Sequence, residues 1–249
     1  MLQYGLIGYP LAHSFSPAYF EEKFQKEGID NANYALFEID YIHKFKDLLI
    51  DHPGIAGLNV TIPYKESIIP YVDELSPEAA AIGAVNVIQF VDDRLIGHNS
   101  DAYGFERSLL NFLAENKTTV SRAMILGSGG AARAVYYVLH KNNIPTTTIS
   151  RSPDRGGYTY DQLTKNLMDE HPLLINATPL GTAPKTDNAP KIPYEFLTAN
   201  HYLYDLVYNP STTLFMQKGK EQGAQVKNGY EMLVQQAEKA WRIWNRVEK

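Results

Sequence analysis

Lys65 closes the run Gly57-Leu-Asn-Val-Thr-Ile-Pro-Tyr-Lys65, which also presents Asn59 and Thr61 as small polar groups. A lysine amine is a mobile cationic proton donor, and burial or a neighbouring carboxylate tunes it for acid-base work. A loop lysine read alone is ordinarily solvated, so its setting decides. Asp101, in Gly97-His-Asn-Ser-Asp101-Ala-Tyr-Gly104-Phe, supplies a carboxylate at the start of a helix. Aspartate there serves as a cap, and an ionised carboxylate in that place can also hold a substrate hydroxyl or orient a lysine. In His13-Ser-Phe-Ser-Pro17, Ser16 suits a helix N-cap, while Ser14 and Ser16 together offer hydroxyl donors for a small carboxylate. Asn86, in Ile82-Gly-Ala-Val-Asn86, reads equally as a turn or strand-end residue, and His13 and His98 as structural or solvated.

A second set suits a phosphate-bearing ligand. Gly127-x-Gly129-x-x-Ala132 joins an apolar strand to a helix, so the glycines permit a tight turn and a close backbone approach to a pyrophosphate. A NAD-type site usually places an acid at the end of the next strand for the ribose 2′-hydroxyl. This chain reads Ser150-Arg151-Ser-Pro-Asp-Arg155 instead, and the two guanidinium groups suit a 2′-phosphate. Asp154 stands between them as an acid able to pair with either arginine, and two solvated surface arginines are the plain alternative.

The elements that must position these groups alternate along the chain. Gln3 to Gly8 reads as a strand and Pro17 to Glu27 as a helix, with Ser16 before it, proline in its first turn and Gly28 after it. Strands are expected over Tyr34 to Ile39, Leu58 to Val60, Val85 to Phe90 and Leu95 to His98, with a short helix opened by Ser76-Pro77-Glu78. A helix over Asp101 to about Glu115 begins a second series, with strands at Ala123 to Leu126, Thr146 to Ile149, Leu173 to Asn176, Tyr202 to Val207 and Ala224 to Val226. Helical stretches between them predict a parallel, Rossmann-like sheet covered on both faces. Thr182 to Pro193 reads as a surface loop.

A final helix from Tyr230 to about Arg246 carries an apolar stripe of Met232, Leu233, Ala237, Ala240 and Trp241 that suits packing back on the first half. The expected organisation is an α/β protein of two domains. Residues 1–100 with 230–249 form a substrate-binding α/β domain, and 101–229 a nucleotide-binding domain, with a cleft and hinge near Asp101 and Gly229.

The 249 residues are 44% hydrophobic and 20% charged, enough for a large core. A net charge of −5 argues against a nucleic-acid or anionic-membrane surface, so an anionic ligand must be met locally. The start, Met-Leu-Gln-Tyr-Gly-Leu-Ile-Gly, enters a strand-like pattern without the features of a signal peptide, and no apolar run reaches spanning length. The absence of cysteine excludes disulfides, thiolate ligands and a cysteine nucleophile. The seven histidines lack metal-ligand spacing. A cytoplasmic protein with no structural metal is expected.

Taken in order, His13-Ser-Phe-Ser-Pro17, Asn59-Val-Thr-Ile-Pro-Tyr-Lys65, Ile82-Gly-Ala-Val-Asn86, Asn99-Ser-Asp101-x-x-Gly104-Phe, Gly127-Ser-Gly-Gly-Ala131, Asn176-Ala-Thr-Pro-Leu-Gly181 and Gly229-x-x-Met232-Leu-Val-x-Gln236 resemble the shikimate dehydrogenase family over nearly the whole chain. The resemblance implies an NADP-dependent oxidoreductase that reversibly reduces 3-dehydroshikimate to shikimate, on the route to chorismate and the aromatic amino acids. It implies Lys65 and Asp101 as the catalytic pair, and Ser14 and Ser16 at the substrate carboxylate. Asn59, Thr61, Asn86 and Gln236 would surround the ring hydroxyls and carbonyl, with Tyr208 bordering the substrate.

By the same resemblance, Gly127, Gly129, Gly130, Ala131, Arg151 and Arg155 match dinucleotide and 2′-phosphate positions, and Thr178, Gly229 and Met232 the nicotinamide side. Ser100, Val87, Pro179, Thr182 and Ser150 depart from the commonest family pattern and bear on ring-hydroxyl recognition and nicotinamide packing. Two other readings stand beside the main one: a quinate/shikimate dehydrogenase using NAD(P), and a non-catalytic metabolite sensor of the same fold. The expected partners are the small-molecule substrate and cofactor, with a monomer or homodimer as the assembly.

Overall fold

The structure is a computed structural model that describes residues 1–12, 14–152 and 157–246. The chain divides into two compact units, 1–100 with 237–249, and 101–236. The division falls between Gln236 and Ala237, inside the last helix, whereas the sequence places it between Gly229 and Tyr230.

The first unit contains β1 (Leu2–Gly8), α1 (Ser16–Glu27), β2 (Ala32–Glu38), α2 (Phe45–Asp51), β3 (Ile55–Val60), β4 (Glu74–Leu75), α3 (Pro77–Ile82), β5 (Val87–Val91) and β6 (Arg94–His98). Its sheet runs β2-β1-β3-β5-β6-β4. β2 and β3 lie parallel to β1, whereas β5 is antiparallel to both β3 and β6. Side chains alternate across the strands, so each face has its own core. Ile7, Phe45, Leu58, Val60, Tyr64 and Ile88 fill one, and Tyr4, Phe20, Phe24, Ala237, Ala240 and Trp244 the other. Gly57 is required on the second face, because a Cβ there would run into the Trp244 indole, whose Nε1 donates to Ile88 O at 3.1 Å.

α1 ends where expected. Gly28 takes φ of 66°, a left-handed conformation natural to glycine, and Ile29 N donates back to Phe24 O at 2.9 Å. Its start differs from the N-cap expectation for Ser16. The helix begins at Ser16 itself, Phe15 holds the preceding position, and no side chain caps the first turn. By contrast Ser76 caps α3 as its sequence suggests, accepting from Ala79 N at 3.2 Å.

The second unit contains α4 (Asp101–Glu115), β7 (Ala123–Leu126), α5 (Gly130–Lys141), β8 (Thr146–Ser150), β9 (Tyr158–Thr159), α6 (Lys165–Asp169), β10 (Leu173–Asn176), β11 (Tyr202–Asp205), α7 (Leu214–Glu221) and β12 (Gln225–Lys227). Its last helix, α8 (Tyr230–Trp244), starts here and continues into the residues grouped with the first unit. The sheet order is β12-β11-β10-β7-β8-β9, and every adjacent pair is parallel. β7 and β10 are buried along their whole length, which is why they read as continuous apolar runs.

β11 ends two residues before the expected Val207, because the chain turns there. Val207 N donates to Asp205 Oδ1 at 3.0 Å instead of to a strand. β5 starts at Val87, because Val85 N leaves the sheet to donate to Lys65 O at 2.7 Å.

Candidate active site

In the first unit the polar candidates gather at one end of the sheet. Ser14 and Ser16 follow β1, Asn59 lies near the end of β3, Asn86 precedes β5, and Ser100 follows β6. The antiparallel pairing of β5 with its neighbours brings those four ends to the same edge. Asn59, Asn86 and Ser100 are buried, and hydrogen bonds run through them in series. Asn59 Nδ2 donates to Asn86 O at 3.2 Å, and Ser100 N donates to Asn86 Oδ1 at 2.7 Å. Asn86 Nδ2 returns a bond to Ser100 Oγ at 3.0 Å. Asn99 anchors the same turn by donating to Ala84 O at 2.9 Å. Among the described residues no buried side-chain nitrogen or oxygen lacks a partner, so these groups are oriented rather than merely enclosed.

Lys65 and Thr61 sit on the turn that leaves β3. Thr61 N donates to Ile7 O at 2.9 Å, and Tyr64 N donates to Thr61 O at 2.9 Å, closing a tight turn that delivers Lys65. The Val85 N to Lys65 O bond then fastens the lysine main chain to the residue before Asn86. Lys65 is half-buried, which keeps its long side chain partly shielded without stranding its charge.

Ser14 and Ser16 are also half-buried, and Ser14 N donates to Leu11 O at 3.1 Å. His13 lies outside the described residues. His98 has a structural role: its Nε2 meets Gln89 Oε1 at 3.0 Å, and burial lowers its pKa from the ordinary histidine value. Sequence reading did not single out Tyr34, whose hydroxyl donates to Asn59 Oδ1 at 2.8 Å.

In the second unit the candidates lie at the carboxyl ends of the parallel strands, the edge where ligands of open α/β sheets bind. Gly127 follows β7, Arg151 follows β8, Thr178 follows β10 and Tyr208 follows β11. The chain reverses its order of travel across the sheet between β7 and β10, and that switch point brings Gly127 and Thr178 together. Gly127 has φ of 110°, and a Cβ there would lie 2.9 Å from Thr178 Cγ2, so both backbone and space demand glycine.

Gly129 is extended and open, and Gly130 and Ala131 start α5 with its first-turn N–H groups facing outward along the axis. No acidic side chain occupies that turn. A glycine-tight turn running into an open helix N-terminus fits a dinucleotide pyrophosphate.

Arg151 is exposed at the end of β8, and Arg155 lies outside the described residues. Burial raises the pKa of the nearby Tyr160 phenol, and the Arg151 charge partly offsets that rise.

Behind Thr178 stands a network that sequence reading missed. Thr178 N and Oγ1 donate to Asn176 Oδ1 at 3.0 and 2.6 Å, and Asn176 Nδ2 donates to Asp205 Oδ1 at 2.9 Å. Thr213 Oγ1 completes it with a 2.6 Å bond to Asp205 Oδ2. Burial outweighs these donors and pushes the Asp205 carboxyl up to about 6. The available signal was the Asp205-Leu-Val-Tyr208 run, in which only the tyrosine drew attention.

Gly229 N donates to Val207 O at 3.2 Å, and a Cβ at Gly229 would collide with Leu206 O, so α8 starts tight against the end of β11. Met232 is buried one turn later. Asp101 is buried as the first residue of α4, where its negative charge complements the helix dipole. Gln236 is buried on α8, with Nε2 donating to Leu233 O at 2.9 Å.

Residues 6–88 match the family model described as the shikimate dehydrogenase substrate binding domain. A curated relative named shikimate dehydrogenase (NADP(+)) from Desulforamulus reducens is 35% identical over 96% of this chain and 88% of its own length. The chain belongs to the shikimate dehydrogenase family. Solved structures of family members agree across the whole fold. A shikimate dehydrogenase in complex with NADP+ superimposes with a TM-score of 0.88 at 32% identity, over 100% of this chain and 91% of that one. A shikimate 5-dehydrogenase from Thermus thermophilus in complex with NADP(H) and shikimate gives 0.85 at 31%, over 99% and 94%. The shikimate dehydrogenase family model lies wholly inside the first unit, the one that holds Lys65 and the Asn59–Asn86–Ser100 series.

Proposed function

We propose that this protein catalyses the reversible NADPH-dependent reduction of 3-dehydroshikimate to shikimate, with 1–100 and the end of the chain binding substrate and the parallel-sheet unit binding NADP. The observation that carries the reading is the oriented series Asn59, Asn86 and Ser100 beside the anchored Lys65 main chain, in a member of this family. Buried amides oriented in this way suit a small polyhydroxylated ring, because a site built on fixed hydrogen bonds rejects rings that cannot match them.

In this reading Ser14 and Ser16 meet the substrate carboxylate, and Asn59, Thr61, Asn86 and Gln236 meet ring oxygens, with Tyr208 beside the ring. Lys65, as an ammonium, stabilises the negative charge that develops on the carbonyl oxygen and gives that oxygen its proton at Nζ. In the oxidative direction the neutral amine takes the proton back. Asp101 stays anionic and holds a ring hydroxyl.

NADPH, when bound, supplies the hydride. Gly127, Gly129, Gly130 and Ala131 would hold its pyrophosphate, and Arg151 and Arg155 its 2′-phosphate. Thr178, Gly229 and Met232 would lie on the nicotinamide side. The fit rests on the Gly127 turn and the open α5 N-terminus.

No helix among the described residues is long and apolar enough to cross a membrane. We place the protein in the cytoplasm, as the absence of cysteine suits, as a monomer or homodimer.

Initial-rate oxidation of shikimate and of quinate, each with NADP+ and with NAD+, tests the reading. Shikimate with NADP+ should be the best pair. Faster turnover of quinate with NAD+ would replace it with the quinate reading, and tight ligand binding without turnover would favour a sensor.

A further inference from the structure

We propose that Tyr34 is a positioning residue for substrate recognition: its hydroxyl fixes the orientation of the Asn59 carboxamide. The inference rests on the substrate role proposed for Asn59. It follows from proton bookkeeping. Asn86 O is a backbone carbonyl and can only accept, so the Asn59 nitrogen must face it, which it does at 3.2 Å. The Asn59 oxygen is thereby turned to Tyr34, and the phenol must spend its one proton there, at 2.8 Å. Asn59 keeps a second N–H on Nδ2 and presents it as a donor. Asn59 is therefore set to recognise a ring oxygen by donation.

The phenol is well placed for this. Tyr34 lines a surface cleft with Pro17 and Phe24, and its ring stacks on the fully buried Phe20 at 4.5 Å and 11°. The hydroxyl points inward across β1 to β3, and burial raises its pKa far above the ordinary tyrosine value, which keeps it a donor at any working pH.

The test is steady-state kinetics of Tyr34→Phe, which keeps the stacked ring and removes only the hydroxyl. The expected result is a KM for shikimate raised about tenfold, the loss expected for one oriented hydrogen bond, with kcat and the KM for NADP+ within about twofold. Thermal unfolding serves as the folding control. In an Asn59→Ala background the same change should add less than about twofold, because its route through Asn59 is gone.

An unchanged KM in Tyr34→Phe, or an undiminished effect in the Asn59→Ala background, overturns the inference. Wild-type protein inactive on shikimate with either cofactor overturns the functional reading, and this inference with it. Wild-type protein that is active, with a Tyr34→Phe variant indistinguishable from it, overturns the inference alone.

Discussion

Ser100 and Asn86 hold one carboxamide at both ends, with Ser100 N donating to Asn86 Oδ1 at 2.7 Å and Asn86 Nδ2 donating to Ser100 Oγ at 3.0 Å. Ser100 is fully buried, and the pair ties the end of β6 to the start of β5. Ser100→Ala leaves the buried amide short of an acceptor and should cost about 1–3 kcal/mol in stability, with a raised KM for shikimate. Ser100→Thr retains the hydroxyl and should stay much closer to wild type. Urea unfolding and initial rates on both variants check this, and equal behaviour of the two would show that the hydroxyl is not what matters.

Lys65 is held by its main chain, through the Val85 bond, independently of its amine. Lys65→Ala should therefore leave the turn folded while turnover falls by roughly 10²–10⁴-fold, the usual contribution of a positioned proton donor. NADPH binding, followed by fluorescence titration, should remain near normal. Near-normal turnover would remove Lys65 from the chemistry.

Arg151 is exposed and stands at the end of β8, where a 2′-phosphate reader belongs. Arg151→Ala should weaken NADPH by about tenfold or more through loss of charge-assisted bonds, while NADH, which lacks the 2′-phosphate, changes little. Combining it with Arg155→Ala should widen the difference. Equal losses for the two cofactors would point to a general structural effect.

Much of this architecture was legible because local pattern and global role coincide. Ala123 to Leu126 and Leu173 to Asn176 read as buried parallel strands since both of their faces are covered, and Gly127 announced a turn that only glycine can make. β4 and β9 were not legible, because two-residue strands carry no period to detect. Tyr34 was hidden for a different reason. Alternation along β2 tells which face its ring takes, but its bond to Asn59 depends on the registers of β1 with both β2 and β3. Ser16 was misread by a single position, since the helix takes it in as its first residue and leaves Phe15 at the cap.

Gly104 marks a close approach of α4 to the early turns of α8. A Cβ at this position would lie 2.5 Å from Met232 O and 3.0 Å from Gln236 N. A backbone carbonyl cannot swing aside as a side-chain tip can, so Gly104→Ala should cost about 2 kcal/mol or more. That corresponds to a fall of roughly 4–8 °C in Tm for a chain of this size. The KM for shikimate should rise as well, because Gln236 would be displaced. Differential scanning calorimetry with unchanged Tm would show that the helices part without penalty.

Asp205 supplies a pH dependence whose sign is set by burial. Its carboxyl is raised from 3.8 to about 6 in the folded protein. The folded state thus holds the proton more tightly than the unfolded chain, and this group's contribution to stability is fully present below about pH 4 and lost as pH rises through about 6. Between pH 7.5 and pH 5 that contribution changes by about 1.4 kcal/mol in favour of the acidic condition. Asp205→Asn abolishes the titration while keeping an oxygen for Asn176 and Val207, and its new amide can donate to Thr213, whose hydroxyl has room to accept. Urea unfolding of wild type and variant at both pH values isolates the term, because every other titrating group is shared. The wild type should gain on the variant by about 1.4 kcal/mol at pH 5 relative to pH 7.5. A difference that does not move with pH would mean that the three donors, rather than burial, govern this carboxylate.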